Sequence, residues 1–415
     1  EYGPVLSVAM AADGRKLGEK KQLQLKDLGN FVFRARLISL NDDKSSNVCF
    51  DTELLRMAAG WSGGFVEWKG AFKNMGPAIT GEIQFSTQPR PGWSLDGKFV
   101  DPRSPTEGPL PRKLGKYRGT YIHGSRVVLS YRVGQCSILE MPEALQTKGL
   151  NAFARTLTLG PSPHPISMLL CESENAKGNA TEKGAILRDR KSQWRTAGVD
   201  LPQGAKWEVR EGQIILHFRA IKQKTTCRVI LARCDDSQSS TFQNLMKREI
   251  IDPTKFTKGG PTRWKQILTT QGKVGKDDQA YVVDDIPGPI DNPWKSWLRF
   301  GALDFFDDGR AAISTWDGDV WIVSGLDREL KSVKWKRFAT GLMHPLGLKI
   351  IKGIIYVAGR DQITKLHDLN GDDEADFHEC FNNDAGLTPQ RHEYVMDLQV
   401  DRAGNLYYCR SGHYT

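Results

Sequence analysis

The sequence predicts an all-β protein in which an amino-terminal β-sandwich-like domain is followed by an incomplete β-propeller. Short apolar or alternating runs, rich in β-branched and aromatic residues and separated by Gly, Pro and Ser, fill the first half of the chain. Helical periodicity is scarce and is clearest at 239–250. From about residue 295 a strand, a glycine turn and a second strand recur at the spacing of propeller blades.

Length and composition agree with this class. The 415 residues exceed one ordinary core and indicate two or three domains. No apolar run approaches the roughly 18 residues that a membrane-spanning helix needs, so we expect no such span. The chain starts at Glu1 without Met or an apolar signal core, which fits either a mature chain cut after export or a shortened chain.

Residues 1–250 are assigned to the β-sandwich-like domain. The number and spacing of the alternating runs are typical of such a fold. Strands are predicted at 31–40, 82–88, 119–134, 153–160, 213–221 and 227–233. The segment 251–294 is rich in Pro, Gly and Lys, and is interpreted as the linker between domains.

Residues 295–415 are assigned to the propeller. The turn glycines of its three repeated segments, Gly309, Gly353 and Gly404, are 44 and 51 residues apart. Propeller blades of four strands recur at roughly 40 to 50 residues, and a propeller closes with at least about four blades. We therefore expect this region to hold the first two to three blades of a longer propeller.

The stretch HDLNGDDEADFHE, at 367–379, gathers acidic residues in a chain with a formal net charge of +9. Compared with the calcium-loop pattern D-x-[DN]-x-[DN]-G-x5-E, it has oxygen-bearing side chains at positions one, three, five, nine and twelve. These are Asp368, Asn370, Asp372, Asp376 and Glu379. Ca²⁺ takes about six to eight oxygen ligands, and alternating side chains of a tight turn can converge on one point.

Asp373 occupies the sixth position of that pattern, where Gly is usual. Asp tolerates the left-handed backbone conformation better than most residues, so the loop is retained as a calcium candidate. The segments on either side have the pattern of strands, which differs from the helices of an EF-hand. We expect a Ca²⁺ site in a strand connection; the alternative is an acidic turn held open by water and salt.

His344 and His392 each precede a predicted strand, a position that in a propeller can face the central channel. There His392 would act as a general base, taking a hydroxyl proton as hydride leaves the same carbon, while Arg360 would hold an anionic cofactor or substrate. The alternative is that His344, His392 and Arg360 stabilise blade turns. The histidines form no HExxH motif, so a zinc hydrolase is not supported.

Trp61, Trp68 and Trp93 lie in glycine-rich stretches of the first domain. Flat aromatic rings on exposed loops can stack on sugar rings, so these three are candidate carbohydrate-binding residues; packing in the core is the alternative. The chain has no P-loop or GxGxxG motif, which argues against kinase and nicotinamide-dependent dehydrogenase functions.

The seven cysteines form no CxxC, CxxCH or zinc-binding spacing, and most are expected in the core. Cys227 and Cys234 flank an apolar run, so a local disulfide stays open. The positive charge would attract polyanions such as acidic glycans. It is spread along the chain with one compact cluster, at 15–26, so we expect no nucleic-acid partner.

Long phrases of the sequence resemble one known family. They include FDTELLRMAAGWSGGFVEWKG, NPWKSWLRFGALDFFDDGRAAISTWDGDVWIVSGLD and YVAGRDQITKLHDLNGDDEADFHECFNND. These are similar to the large exported proteins of the PVC-type haem-binding, membrane-bound dehydrogenase family, and the resemblance extends over most of the chain. It implies an amino-terminal β domain and a propeller similar to quinoprotein sugar dehydrogenases, often followed by a cytochrome c domain carrying CxxCH.

This resemblance implies a periplasmic or secreted oxidoreductase that oxidises a sugar or a sugar-derived alcohol. Electrons would pass to a quinone such as pyrroloquinoline quinone, or to a cytochrome. Since this chain has no CxxCH motif, haem c would belong to further sequence or to a partner. Calcium would brace a blade connection. The alternative hypothesis is a non-catalytic protein that binds an anionic polysaccharide through its tryptophans and positive charge.

Overall fold

The computed structural model describes residues 1–14, 29–68, 76–104, 106–278, 280–387 and 393–411. The all-β prediction is confirmed, because the described residues form thirty strands, β1 to β30, and a single α-helix. The chain divides into two compact units. The amino-terminal unit comprises Ser7–Thr257 and Gly386–Pro389, and the carboxy-terminal unit comprises Glu1–Leu6, Lys258–Ala385 and Gln390–Thr415.

Strands of the amino-terminal region form layered sheets. In spatial order, one sheet contains β1 (Val5–Ala11), β2 (Phe31–Ser39), β3 (Ser46–Asp51), β4 (Arg56–Ser62) and β7 (Glu82–Ser86). Another run of paired strands contains β14 (Lys177–Ala180), β15 (Gly184–Arg188), β16 (Gln193–Val199), β19 (Thr225–Arg233), β12 (Leu150–Leu159), β11 (Cys136–Thr147), β10 (Arg126–Val133) and β9 (Gly115–His123). A smaller sheet contains β17 (Lys206–Arg210), β18 (Gln213–Phe218), β13 (Ile166–Glu172) and β8 (Trp93–Ser94), and β5 (Val66–Glu67) pairs with β6 (Ala78–Ile79).

Aromatic side chains join these layers. Phe50 of β3 packs against Tyr131 of β10 with ring centroids 5.6 Å apart, and Phe85 of β7 packs against Phe153 of β12 at 5.3 Å. Sheets that bury facing aromatic residues in this way form a sandwich-like core. The β-sandwich-like prediction is confirmed, and each of the six predicted segments contains a strand.

Short helical segments follow the last strand of this unit. They are the α-helix α1 (Ser239–Leu245), which buries Phe242 and Leu245, and 3₁₀ turns at Asp236–Gln238 and Pro253–Phe256. The helix predicted at 239–250 is therefore present in its first half. Asp235 begins this region as an N-cap, because its carboxylate accepts the backbone N–H groups of Ser237 and Gln238.

The carboxy-terminal unit contains successive antiparallel sheets. The first has the spatial order β20 (Ile267–Thr270), β24 (Val333–Ala339), β23 (Val320–Ser324), β22 (Ala311–Thr315) and β21 (Phe300–Phe305). The second set is β25 (Gly347–Ile351), β26 (Ile354–Ala358), β27 (Ile363–His367) and β28 (Phe377–Asn382), and β29 (Tyr394–Val400) pairs with β30 (Leu406–Ser411). β20 joins the edge of the first sheet, and the strands after it form three groups that begin with β21, β25 and β29. These first strands are neighbours: β21 lies beside β25, and β25 beside β29.

The aligned glycines mark equivalent turns in these sheets. Gly309, Gly353 and Gly404 have φ values of +85°, +76° and +86°, and each lies in the turn between the first two strands of its group. Residues other than glycine rarely adopt this conformation. Two four-stranded meanders and a hairpin follow in the order that two to three blades would take, while closure of a propeller stays a prediction.

The predicted domain limits need correction at both ends. The unit boundary lies between Thr257 and Lys258, and Glu1–Leu6 belongs to the carboxy-terminal unit. Most of the predicted linker therefore lies in that unit, where β20 pairs with β24. Pro and Gly content alone does not distinguish a linker from an irregular segment that packs on a sheet.

The cysteines and the expected absence of a membrane-spanning helix were the remaining structural predictions. Six cysteines are buried and Cys409 is exposed, and no disulfide joins Cys227 to Cys234. Within the described ranges, no helix has both the length and the apolar character needed to cross a bilayer.

Candidate functional site

Glycines let the first strands of the carboxy-terminal sheets approach closely. A Cβ atom at Gly301 of β21 would lie 2.6 Å from the carbonyl oxygen of Pro345, and one at Gly347 of β25 would lie 2.2 Å from that of Asp397. Real Cβ atoms do not come so close to backbone, so any larger residue would push these strands apart.

A cavity of about 530 Å³ lies along these first strands. Its lining includes Leu303 of β21, Leu348 and Lys349 of β25, and Met396 and Gln399 of β29. Trp316, in the turn between β22 and β23, also lines it. The mixture of apolar walls and a few polar groups is typical of a small-molecule site.

The same Trp316 packs against two further residues at the ends of strands. Its ring centroid is 5.2 Å from that of His344, in the connection between β24 and β25, and 4.6 Å from that of Tyr394, the first residue of β29. His344 and Tyr394 are 5.9 Å apart. We call Arg299, Trp316, His344, Arg360 and Tyr394 the His344 cluster.

His344 is held neutral in this cluster. Burial, together with the positive charges of Arg360 and Arg299, lowers its pKa to about 4. The described residues offer its buried Nδ1 atom no hydrogen-bond partner. The backbone φ of His344 is +45°, a costly conformation for a non-glycine residue that is often found at functional sites.

Arginines supply the positive charge around His344. Arg299 forms a bidentate pair with Asp317, at 2.5 and 3.0 Å, and its guanidinium lies over the rings of Trp297 and Trp316. Burial, as the largest cause, lowers the pKa of Arg360, while the negative charge of Glu393 opposes that shift. Carboxylates therefore balance part of the positive charge of both arginines, Asp317 for Arg299 and Glu393 for Arg360.

Two of the three predicted catalytic candidates, His344 and Arg360, thus lie close together. His392 lies outside the described residues. Sequence reasoning missed Trp316, Tyr394 and Arg299 because it followed histidines. Their positions at strand ends, equivalent to that of His344, are the feature that would have identified them.

The acidic loop, residues 368–376, connects β27 to β28. Its predicted place in a strand connection agrees with the structure. Oδ1 of Asp368 accepts the backbone N–H groups of Asn370, Gly371 and Asp372, and Oδ2 accepts that of Asp373. Asp373, at the sixth position, has a φ of +58°, which is the left-handed conformation that the pattern requires.

Carboxylates of this loop also hold the segment 260–264. Asp376 Oδ1 accepts the N–H of Gly260 at 2.6 Å, and Asp372 Oδ2 accepts the hydroxyl of Thr262 at 2.5 Å. Glu374 accepts the N–H groups of residues 263 and 264 at 2.9 to 3.0 Å. Part of the acidic charge is therefore used to satisfy backbone donors.

One buried carboxylate oxygen of the loop lacks a hydrogen-bond partner. Asp372 Oδ1 has no hydrogen-bond partner in the part of the chain that the structure describes. The pKa of Asp376 is raised, mainly by burial and further by the charges of Asp372 and Asp368. An orphan oxygen among mutually repelling carboxylates fits a cation. As the side chains stand, however, no three His, Cys, Asp or Glu of the described ranges surround one point as metal ligands.

Glu379, predicted as the twelfth-position ligand, is corrected by the structure. It lies on β28, where its Oε2 is 2.7 Å from Nε2 of His367 on β27. A strand residue that faces a cross-strand partner does not turn into the preceding loop. The other predicted ligands, Asp368, Asn370, Asp372 and Asp376, all lie in the loop.

The tryptophan prediction is wrong for two of its three residues. Trp61 is fully buried, and its indole N–H donates to the carbonyl groups of Gly64 and Phe65. Trp93 is 4% exposed and packs against Tyr131 and Phe218. Neither ring can stack on a sugar in this structure. Trp68 is 55% exposed and stays a candidate.

Comparison with known proteins adds one finding. The sequence model of a family described as a domain of unknown function, DUF6797, matches residues 48–140, within the amino-terminal unit. No curated protein matches the chain.

Proposed function

We propose that the chain is an exported bacterial oxidoreductase that oxidises a sugar or a sugar-derived alcohol at the His344 cluster. The observation that carries the proposal is a neutral, buried histidine beside arginines and aromatic rings, next to a cavity of about 530 Å³. The family resemblance of the sequence supports the same reaction class. Fold alone would not establish it.

The chemistry removes two hydrogens from an alcohol carbon centre. A hydride leaves the carbon, a proton leaves its hydroxyl oxygen, and a carbonyl group forms. Neutral His344 would accept the hydroxyl hydrogen bond and then hold the proton. Because its pKa is low, His344 takes that proton only as the hydride leaves and the O–H group becomes acidic.

An electron acceptor must receive the hydride equivalent. A quinone such as pyrroloquinoline quinone, when bound, supplies this two-electron acceptor. Arg299 and Arg360 would hold the carboxylates of an anionic quinone, and Trp316 or Tyr394 would offer a flat surface. Haem c of a partner or of further sequence would then take the electrons.

Calcium is proposed as a bracing ion at Asp368, Asn370, Asp372 and Asp376. The supporting observation is the buried, unpartnered oxygen of Asp372. An ion there would stabilise both the loop and the segment 260–264 that the same carboxylates hold.

The test is an assay of the purified chain with pyrroloquinoline quinone, Ca²⁺, a dye acceptor and a panel of sugars and sugar alcohols. We expect dye reduction that requires both the quinone and one class of sugar. Absence of dye reduction with every sugar, together with retained binding of an acidic polysaccharide, would favour the non-catalytic alternative.

A further inference from the structure

A second cavity lies on one face of the first carboxy-terminal sheet, and the buried tryptophans of that sheet pack on its opposite face. Strand register places Ile267 of β20 and Ile322 of β23 beside Lys336 of β24, and Ser324 beside Lys334. These five residues line a space of about 420 Å³, whereas Trp321 and Trp335 point to the opposite face. We call this space the basic cavity.

Charged side chains of both signs line the basic cavity. Its charged residues are four cations, Lys265, Arg310, Lys334 and Lys336, and two carboxylates, Asp372 and Asp373. Arg310 is paired with Asp308 at 2.8 Å and with Asp373 at 3.0 Å. Lys336 donates to the carbonyl oxygen of Trp264 at 2.7 Å and lies 3.9 Å from Glu374. Of the four cations, the exposed Lys265 and Lys334 are the two to which the described residues offer no ion pair.

Other parts of the lining suit a polar ring. Ile267 and Ile322 provide apolar surface, while the hydroxyls of Thr262 and Ser324 and the carboxylate of Asp373 provide hydrogen-bonding groups. A pyranose has one apolar C–H face and a rim of hydroxyls, so it matches both surfaces. An oxyanion without a ring, such as sulfate, would contact the lysines but would not cover the apolar surface of the isoleucines. The volume is within the range of small-molecule sites.

From this arrangement we propose that the basic cavity binds one acidic sugar unit, a saccharide ring carrying a carboxylate or a sulfate. Lys265 and Lys334 bind the anionic group, and the hydroxyl rim contacts Ser324 and Asp373. This site differs from the His344 cluster, and binding here requires neither a quinone nor turnover. The two proposals can therefore fail separately.

Isothermal titration of the full chain tests the proposal with four probes: glucuronate, glucose 6-sulfate, glucose and inorganic sulfate. We expect both acidic sugars to bind about tenfold or more tightly than glucose or sulfate, since each neutral or ring-free probe loses one set of contacts. Equal affinity for sulfate and the acidic sugars would overturn the sugar assignment. No binding of either acidic sugar would overturn the site.

Variants locate the binding. Lys265→Gln/Lys334→Gln removes two charges from the lining, and Lys276→Gln/Lys331→Gln removes two from exposed positions of the same unit that do not line the cavity. We expect the first double variant to lose about tenfold in affinity and the second to bind as the wild type does. Equal affinity of the two double variants, with equal thermal midpoints, would contradict the proposal.

Discussion

Arg337 and Asp319 form a bidentate ion pair in the interior of the carboxy-terminal unit. Nη2 of Arg337 is 2.8 Å from Oδ1 of Asp319 and Nε is 3.1 Å from Oδ2, and both side chains are 1% exposed. The guanidinium also lies 4.3 Å from the ring centroid of Trp264 and donates to the carbonyl oxygen of Glu1. The pair therefore connects the turn before β23 to β24 and to the start of the chain.

Breaking this pair is predicted to be costly. Asp319→Ala leaves the buried Arg337 charge without its partner, which destabilises proteins by about 3 to 5 kcal/mol. Glu329→Ala, which removes an exposed pair with Lys331, is the matched control and should change little. Urea unfolding measures both. Equal midpoints of the two variants would contradict the role given to the buried pair.

Gly347→Ala is predicted to force β25 and β29 apart. Its Cβ would meet the backbone of Asp397 at 2.2 Å, and backbone cannot move aside as a flexible side chain can. We expect a loss of about 1 to 3 kcal/mol in a thermal or urea melt. Gly386→Ala, where nothing lies within 4 Å of the added atom, is the control. If the two variants were equally stable, the close approach of the first strands would be wrong.

Calcium is predicted to raise the thermal midpoint of the wild type, because an ion that binds only the folded chain stabilises it. Asp372→Asn removes the charge beside the orphan oxygen while leaving an acceptor for Thr262, so its midpoint should be the same with Ca²⁺ and with EGTA. Asp384→Asn, an exposed change outside the loop, should keep the full effect. If adding Ca²⁺ left the thermal midpoint of the wild type unchanged, the proposed calcium site would be wrong.

The lowered pKa of His344 predicts that the stability of the protein depends on pH. Its folded pKa of about 4 lies below the usual histidine pKa of 6.5, so the unfolded chain binds more protons between these values. The free energy of unfolding should therefore fall as the pH drops from about 6.5 towards 4, by at most about 3 kcal/mol from this residue. His344→Gln should flatten that part of the profile relative to wild type. Parallel profiles would show that His344 is not held neutral.

Strand positions were predictable because alternation and turn glycines are local properties of the sequence. Gly309, Gly353 and Gly404 marked equivalent turns for this reason. The side that a residue faces was harder to predict: Trp61 lies in a glycine-rich run that resembles an exposed loop, yet it is on a buried strand. Neighbouring sheets, which no local pattern describes, decide that burial.

The candidate site shows the same limit. The acidic loop was visible as a motif, but its bonds to Gly260 and Thr262 join residues more than 100 positions apart. Glu379 fitted the pattern by spacing, whereas in the structure it lies on β28 opposite Lys365, and its carboxylate contacts the imidazole of His367. His344 was found by its chemistry, and its contact with Trp316 depends on how successive sheets pack.

The most direct test of the central claim compares turnover by the wild type and by His344→Gln, with saturating quinone, Ca²⁺ and a dye acceptor. His164→Gln, a change at an exposed histidine of the amino-terminal unit, is the control. The account predicts that His344→Gln loses about a hundredfold or more in kcat while still binding the quinone, and that His164→Gln keeps the wild-type rate. Wild-type turnover by His344→Gln would contradict the account.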